Sequence, residues 1–357
     1  MAPGAVDTAL PTMSTDRKKE YPTPIKPSGS LDAFEYEDST PIIGREYLSM
    51  NIVNDILQAP NSTARIRDLA HTISSRGVVF FRKQSNLTID HQKSLVHLLG
   101  LAAGKPAEST LHIHPVMNHT SSLGVGDAEI SHISSTQRAE FLKLRADYEQ
   151  NKQKYNEADW HSDVQFERVP PDYTSLRLTK LPTTGGDTVW ASGYEIYDRC
   201  SPAYRKFLEG LTATFDGSGY NSMGSAVYKD PRGNPQNVEF TSIHPVVRTN
   251  SATGWKSVMA IGPFPTRINE LTSGESEAML KSFKRMIVEN HDLCVRFKWR
   301  NENDIAIWDN RCTFHSGTYD YEGLGERYGH RAVGIGEPPY LDPQSKSRRE
   351  DLAEKGE

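Results

Sequence analysis

The sequence predicts a mainly β chain with flanking helices (α+β), built as an antiparallel sandwich or barrel, on three observations. Beyond residue 158, short apolar segments recur between turn residues: Ser175–Lys180, Asp187–Ala191, His244–Thr249, Ser257–Ile261, Val295–Trp299, Asp304–Asp309 and Arg331–Gly336. Apolar residues at helical spacing are confined to a few segments before and between them. No run of 18 or more apolar residues occurs, so no membrane-spanning helix is expected.

Taken in order, residues 1 to about 30 are rich in Pro, Ser, Thr and charge and predict a disordered N-terminal tail, with structure expected from near Ile42. Ser62–Arg76 carries Ile66, Leu69, Ala70 and Ile73 at helical spacing; Gly77 stops it, and Val78–Phe81 follows as a buried strand. Asp90–Leu101 predicts a second helix through Leu95, Leu98 and Leu99, ending by Gly104. Ile133–Ala158 is a long charged stretch, expected as a surface helix or a lid, with a solvated insertion of no role as the alternative. Ser201-Pro202 pairs an N-cap with a first-turn proline and opens a helix over Ala203–Leu211. Gly274–Asn290 places Ala278, Met279, Phe283, Met286 and Ile287 on one face, with Thr272 or Ser273 as cap. No linker interrupts the chain after Ile42, so residues 42–345 are expected as one domain with a helical or lid insertion near 133–158, followed by a flexible C-terminal tail, 346–357.

The 357 residues carry a net charge of −5 and a mean hydropathy of −0.61. That balance disfavours a nucleic-acid binder, which shows a basic domain or stripe. Cys200, Cys294 and Cys312 are far apart and form no CxxC pair, which argues against a disulfide framework or a zinc site. With no apolar signal core and no SKL or KDEL ending, the cytoplasm is the expected location.

The pattern that carries chemistry is His161-Ser162-Asp163 with a distant His315. On an extended strand, residues i and i+2 project to one face, so His161 and Asp163 can address one metal ion. A histidine from another strand completes a two-His, one-carboxylate face with open positions, the donor set of non-haem Fe(II) oxygenases. An H-x-D alone is weak. Its context is stronger: Asp159-Trp160-His161-Ser162-Asp163, then Leu181-Pro182-Thr183-Thr184-Gly185-Gly186-Asp187-Thr188-Val189-Trp190, then His244-Pro245-Val246-Val247-Arg248-Thr249, Asn303-Asp304-Ile305-Ala306-Ile307-Trp308-Asp309-Asn310-Arg311, His315 and His330-Arg331-Ala332.

In these strings, in order and with similar spacing from Val78 to Pro339, the chain resembles the taurine dioxygenase family, which includes the aryloxyacetate dioxygenases and fungal sulfonate dioxygenases. The resemblance implies a double-stranded β-helix (jelly-roll, cupin-like), Fe(II), and 2-oxoglutarate and O2 as co-substrates. It implies His161, Asp163 and His315 as iron ligands. Thr188 and Arg327 would hold the distal carboxylate of 2-oxoglutarate, the arginine falling one residue later than the family position. Arg331 and His114 would face the anionic group of the prime substrate, with Phe264 as a pocket aromatic. Arginine suits a carboxylate or sulfonate because its planar fork is always charged. Arg327 and Arg331 are expected to share one face of a strand that continues through Ile335.

Each residue has an ordinary alternative. His315 could be a turn histidine, His114 part of a polar loop with His112 and His119, Arg331 half of a structural ion pair, Thr188 a plain strand threonine, and Phe264 a loop anchor. The resemblance points to a small anionic organic substrate, a sulfonate first, which would release sulfite and an aldehyde. Four positions depart from the taurine enzymes: Asn156, Glu157 and Met117 stand where the substrate amine is held, and Ile261 replaces an asparagine before Phe264. Oxidation of an amino acid or another small carboxylate in specialised biosynthesis therefore stays open, as do a non-catalytic anion sensor and, more remotely, a zinc hydrolase on the same ligands. Oligomeric state is not legible; relatives are often dimers or tetramers, so a homo-oligomer is compatible with the resemblance.

Overall fold

The alternation of two apolar strands sets the layers. In the computed structural model, which describes residues 21–120, 125–136, 138–139, 160–221 and 227–356, the strands run as β1 Tyr36–Asp38, β2 Arg45–Tyr47, β3 Val78–Phe81, β4 Ile130–Ser134, β5 Pro171–Lys180, β6 Thr188–Ser192, β7 Thr212–Asp216, β8 Thr241–Pro245, β9 Val247–Thr249, β10 Lys256–Val258, β11 Pro265–Ile268, β12 Cys294–Phe297, β13 Asp304–Asp309, β14 Thr313–Gly317 and β15 Tyr328–Ile335. The helices are α1 Ser62–Arg76, α2 Ile89–Ala102, α3 Gly193–Asp198, α4 Pro202–Leu208, α5 Ser273–Val288 and α6 Arg348–Lys355, with a π-helical turn at Ile52–Leu57.

A seven-stranded sheet has the order β1-β2-β3-β13-β5-β15-β4, and a three-stranded sheet the order β12-β6-β14. Ile305 and Ile307 of β13, with Val79 and Phe81 of β3, pack under Ile66, Leu69 and Ile73 of α1 and Leu95 and Leu99 of α2. The alternate residues, Ala306, Trp308, Val78 and Phe80, meet Trp190 of β6 and Val295 and Phe297 of β12. Both faces of the large sheet are thus covered, which is why β13 reads as a continuous apolar run. Phe80 stacks on Phe297 with ring centroids 4.1 Å apart, a contact worth about 0.5–1.5 kcal/mol beyond the area it buries. A further core gathers Phe215 of β7, Ile268 of β11 and Met279, Phe283 and Ile287 of α5.

α1 ends where expected, because Gly77 has a φ of +74° and a Cβ there would lie 2.8 Å from the Thr313 side chain. α5 starts at the expected cap, with Glu275 accepting from both the amide and the hydroxyl of Thr272. His244–Thr249 is not one strand. It divides at Val246, whose amide donates to Leu211, into β8 and β9, which belong to different sheets.

Residues 21–34 and 346–356 are more ordered than their composition predicts, while residues 1–20 of the expected tail lie outside the described residues. Ile25 and Leu31 lie in the core, Ser28 and Ser30 donate to Asp68, and the first strand precedes Ile42. At the other end, the expected flexible tail carries α6, capped by Ser347. Trp255 Nε1 donates to Asp351 at 2.7 Å and Arg349 to Glu195 at 2.5 Å. α6 buries no residue of its own, so the apolar periodicity that reveals other helices is missing from it. Ile133 and Ser134, placed by sequence in the charged stretch, belong to β4 against β15. Residues 137 and 140–158 of that stretch lie outside the described residues.

Candidate active site

The site forms where β14 of the small sheet meets the chain leading into the turn before β5. His161 and His315 pair through their backbones in both directions, at 3.0 and 2.7 Å. This sets their imidazoles side by side, with centroids 4.3 Å apart. Only His161 is ladder-paired; Asp163 opens a turn, so the expected strand through both is a single bridge followed by a bend. The bend is marked by Val164 at φ +35°, a rare conformation for a β-branched residue that persists because its surroundings hold it. Asn310 supplies the hold. Its Oδ1 accepts from the Asp163 amide at 3.1 Å and from Trp308 Nε1 at 3.1 Å, and Ser162 Oγ donates to its carbonyl at 2.9 Å. Gly262 backs the other side: a Cβ there would sit 3.0 Å from the Trp160 carbonyl oxygen.

One ligand atom each from His161, Asp163 and His315 lies within 4.8 Å of the others, a single such group among the described residues. Burial, then the neighbouring His161, pushes the His315 pKa down to about 3, so this imidazole is neutral and its lone pair is available. Burial alone would raise the Asp163 carboxyl, but Arg331 and the two imidazoles outweigh it and hold it below the usual range. Oδ2 of Asp163 is buried with no partner. A neutral His315, a second imidazole beside it at His161 and an incompletely bonded carboxylate suit a divalent ion, and the set matches Fe(II).

Arg331, in β15, donates from Nη1 to Asp163 Oδ1 at 2.5 Å, and its Nε is buried with no partner. His114 lies nearby, fully enclosed, its Nδ1 accepting from the amides of Val116 at 3.1 Å and Met117 at 2.9 Å. Burial and the Arg331 charge keep it neutral, so its proton sits on Nε2. Met117, a departure noted in the sequence, thus orients His114 through its backbone, while Ile261 is wholly buried in the core. Asn156 and Glu157 lie outside the described residues.

Arg327 and Thr188 form a second polar pocket. Thr188 Oγ1 accepts from Trp299 Nε1 at 3.1 Å and from Arg327 Nη2 at 3.3 Å, and Arg327 Nε donates to the Gly186 carbonyl at 2.9 Å. Gly186, at φ +69°, leaves the room: a Cβ would stand 2.9 Å from Arg327 Cδ. Arg327 is buried, which lowers its pKa, and among the described residues no carboxylate forms an ion pair with it. It precedes β15 by one residue, and a register irregularity follows it, so the two arginines point inward without being regular strand neighbours.

Phe264 is half-buried and meets Phe166 edge-on at 5.1 Å. Phe166 also touches Tyr220, whose ring stands edge-on to His114 at 5.7 Å. Beneath them a buried cluster ties three loops: Glu167 accepts from Arg232 Nε at 2.5 Å and Nη2 at 3.0 Å and lies 2.8 Å from His112 Nε2. Sequence reasoning singled out neither this cluster nor Tyr220. Asn310 stood inside a recognised string, and its tie to Asp163 is a tertiary fact.

The family model described as taurine catabolism dioxygenase TauD, TfdA family matches residues 35–333. The alpha-ketoglutarate-dependent dioxygenase btcD of Neocamarosporium betae is 46% identical, the match covering 92% of this chain and 98% of that one. The alpha-ketoglutarate-dependent sulfonate dioxygenase of Saccharomyces cerevisiae is 30% identical, over 85% of this chain and 67% of that one. A crystal structure of a taurine dioxygenase from Burkholderia xenovorans superposes with a TM-score of 0.64 at 25% identity, over 88% of this chain and 92% of the other. The chain therefore belongs to the TauD, TfdA family and is an Fe(II)- and 2-oxoglutarate-dependent dioxygenase, with O2 as second co-substrate.

Proposed function

We propose that the enzyme oxidises a C–H bond of a small organic sulfonate at the carbon bearing sulfur. On this reading His161, Asp163 and His315 hold the iron. Thr188 and Arg327 take the distal carboxylate of 2-oxoglutarate, Arg331 and His114 clamp the sulfonate, and Phe264 lines the apolar part of its pocket. The observation that carries it is the pair of buried arginines flanking one metal-competent group, Arg327 beside Thr188 and Arg331 beside Asp163. Arg327 has no carboxylate partner among the described residues and Arg331, though paired with Asp163, keeps a buried Nε–H without an acceptor, so each has hydrogen-bonding capacity left for an anion, co-substrate at one and substrate at the other.

The bound iron, with 2-oxoglutarate and O2, supplies the oxidation: 2-oxoglutarate leaves as succinate and CO2, and one oxygen atom enters the substrate. The protein contributes position. Arg327 and Thr188 fix one end of the co-substrate, and Arg331 fixes the anionic end of the substrate next to Asp163. The buried aromatics exclude water. A hydroxyl on the carbon bearing sulfur makes that carbon collapse to a carbonyl with loss of sulfite. The name of the yeast relative supports the sulfonate.

The same reading takes the facing sheets as a double-stranded β-helix in a single domain, and places the enzyme in the cytoplasm. No helix among the described residues is long and apolar enough to cross a membrane. The test is anaerobic addition of Fe(II) and 2-oxoglutarate, read by visible absorbance, then oxygen with matched alkyl sulfonates and carboxylates, reading succinate, sulfite and product mass. Sulfite formed with substrate-stimulated succinate supports the proposal. Succinate stimulated by carboxylates alone replaces the sulfonate with a carboxylate.

A further inference from the structure

We infer that Tyr220 is a specificity-determining residue of the substrate pocket: its phenol donates the third hydrogen bond to the anionic head, matching a three-oxygen sulfonate over a two-oxygen carboxylate. The inference rests on the clamp proposed above and adds a residue to it.

Two donors of that clamp are set by geometry. Arg331 Nε is buried without a partner while Nη1 is engaged on Asp163. His114 offers Nε2–H because its Nδ1 is taken up by two backbone amides. Tyr220 completes the wall. Its ring is edge-on to His114 at 5.7 Å and braced by Phe166 at 5.7 Å and Phe240 at 6.2 Å. Its hydroxyl has no hydrogen bond among the described residues, and the charges of Arg331, Asp163 and Glu167 all act on it. Burial pushes its pKa up to about 12, so it remains a proton donor at neutral pH.

A tetrahedral sulfonate can turn one oxygen toward each of three donors on different sides, whereas a planar carboxylate has lone pairs enough but holds them in one plane, so on this inference its third hydrogen bond is poorly aligned. An unsatisfied buried donor lowers affinity, and a hydrogen bond to a charged partner corresponds to at least about a tenfold change in binding. Phenylalanine at 220 keeps the ring packing and removes only the donor.

The experiment is anaerobic titration of the Fe(II)·2-oxoglutarate complex of the full chain with propane-1-sulfonate and with butanoate, reading perturbation of the visible band. Wild type should bind the sulfonate about tenfold more tightly than the carboxylate. Tyr220→Phe should bring the two within about twofold, by weakening the sulfonate, with Mn(II) affinity unchanged. Equal preference in the two proteins overturns the role of Tyr220, as does a wild type that favours butanoate. The clamp itself fails instead if Arg331→Gln binds both anions as wild type does, or if neither anion perturbs the wild-type band.

Discussion

Arg331 Nη1 donates to Asp163 Oδ1 at 2.5 Å, so the guanidinium proposed to receive the substrate neutralises the carboxylate proposed to receive the metal. A divalent ion drawing on Asp163 Oδ1 as well as the free Oδ2 would compete with that contact and would release Arg331 toward an incoming anion. Metal and substrate anion should then tighten each other's binding, since such coupling is reciprocal.

Replacing Arg331 tests this directly. Breaking one buried, charged hydrogen bond costs about 1.5–3 kcal/mol, which the metal must supply in the wild type. Arg331→Gln should bind Mn(II) roughly tenfold more tightly by titration calorimetry in the absence of substrate. It should also lose the tightening produced by added substrate anion. Equal or weaker Mn(II) binding would remove the competition.

Arg327 and Thr188 should separate from the metal group in their effects. Arg327 is buried and shares no ion pair with a described carboxylate, so its charge is available to the co-substrate. Arg327→Gln should weaken 2-oxoglutarate by about 2–5 kcal/mol, and Thr188→Val, losing a hydroxyl that Arg327 and Trp299 share, by about 1 kcal/mol. Mn(II) affinity should stay within about twofold in both. Titrating the visible band with 2-oxoglutarate gives the first result, and calorimetry the second.

Asn310 touches no reacting group and acts by position. Its amide joins Asp163, Trp308 and Thr174 across two strands and the turn at Val164. Asn310→Ala should weaken metal binding about 10–100-fold, the usual effect of losing a group that orients a ligand. Asn310→Asp keeps the acceptor for the Asp163 amide and should recover part of the loss. A variant that melts lower but binds Mn(II) like wild type would make Asn310 structural only.

Much of this architecture was legible in the chain. Val78–Phe81 and Asp304–Asp309 read as buried strands because both sheet faces are covered, and Gly77 marked the end of α1. His161, Asp163 and His315 were found from spacing and context, although Asp163 sits in a turn rather than on a strand. What escaped depends on partners distant in sequence. The segment around Ile25 and Leu31 is polar overall yet anchored by two apolar residues and by Asp68. The C-terminal helix is held by ion pairs to Glu195, which leave no periodic trace. Tyr220 reaches His114 only through the fold, and no local pattern marks it.

Acid should destabilise the fold through its buried histidines, His315 and His114 at the site and His244 and His330 outside the ligand set. Burial is the first cause pushing His244 and His330 down to about 4; Glu167 and Gln165 carbonyls oppose it at His244, and the charges of Arg177 and His132 add to it at His330. A histidine whose folded pKa lies below its unfolded value of about 6.5 stays neutral in the fold while the unfolded chain takes up a proton. Stability is therefore level above about pH 6.5 and falls as pH drops from there toward 4. Asp163 and Asp309, whose carboxyls are held low, lose their contribution mainly below that window. The melting temperature of metal-free protein should be flat from about pH 7 to 8 and decline by several degrees by about pH 5. His330→Gln should flatten the decline, because its Nδ1 has no partner to lose. His244→Gln should flatten it too but start lower, since Nε2 is bonded to Ser242 and to the Glu167 carbonyl at 2.7 and 2.9 Å. Parallel melting profiles for wild type and both variants would show that neither histidine carries the acid sensitivity.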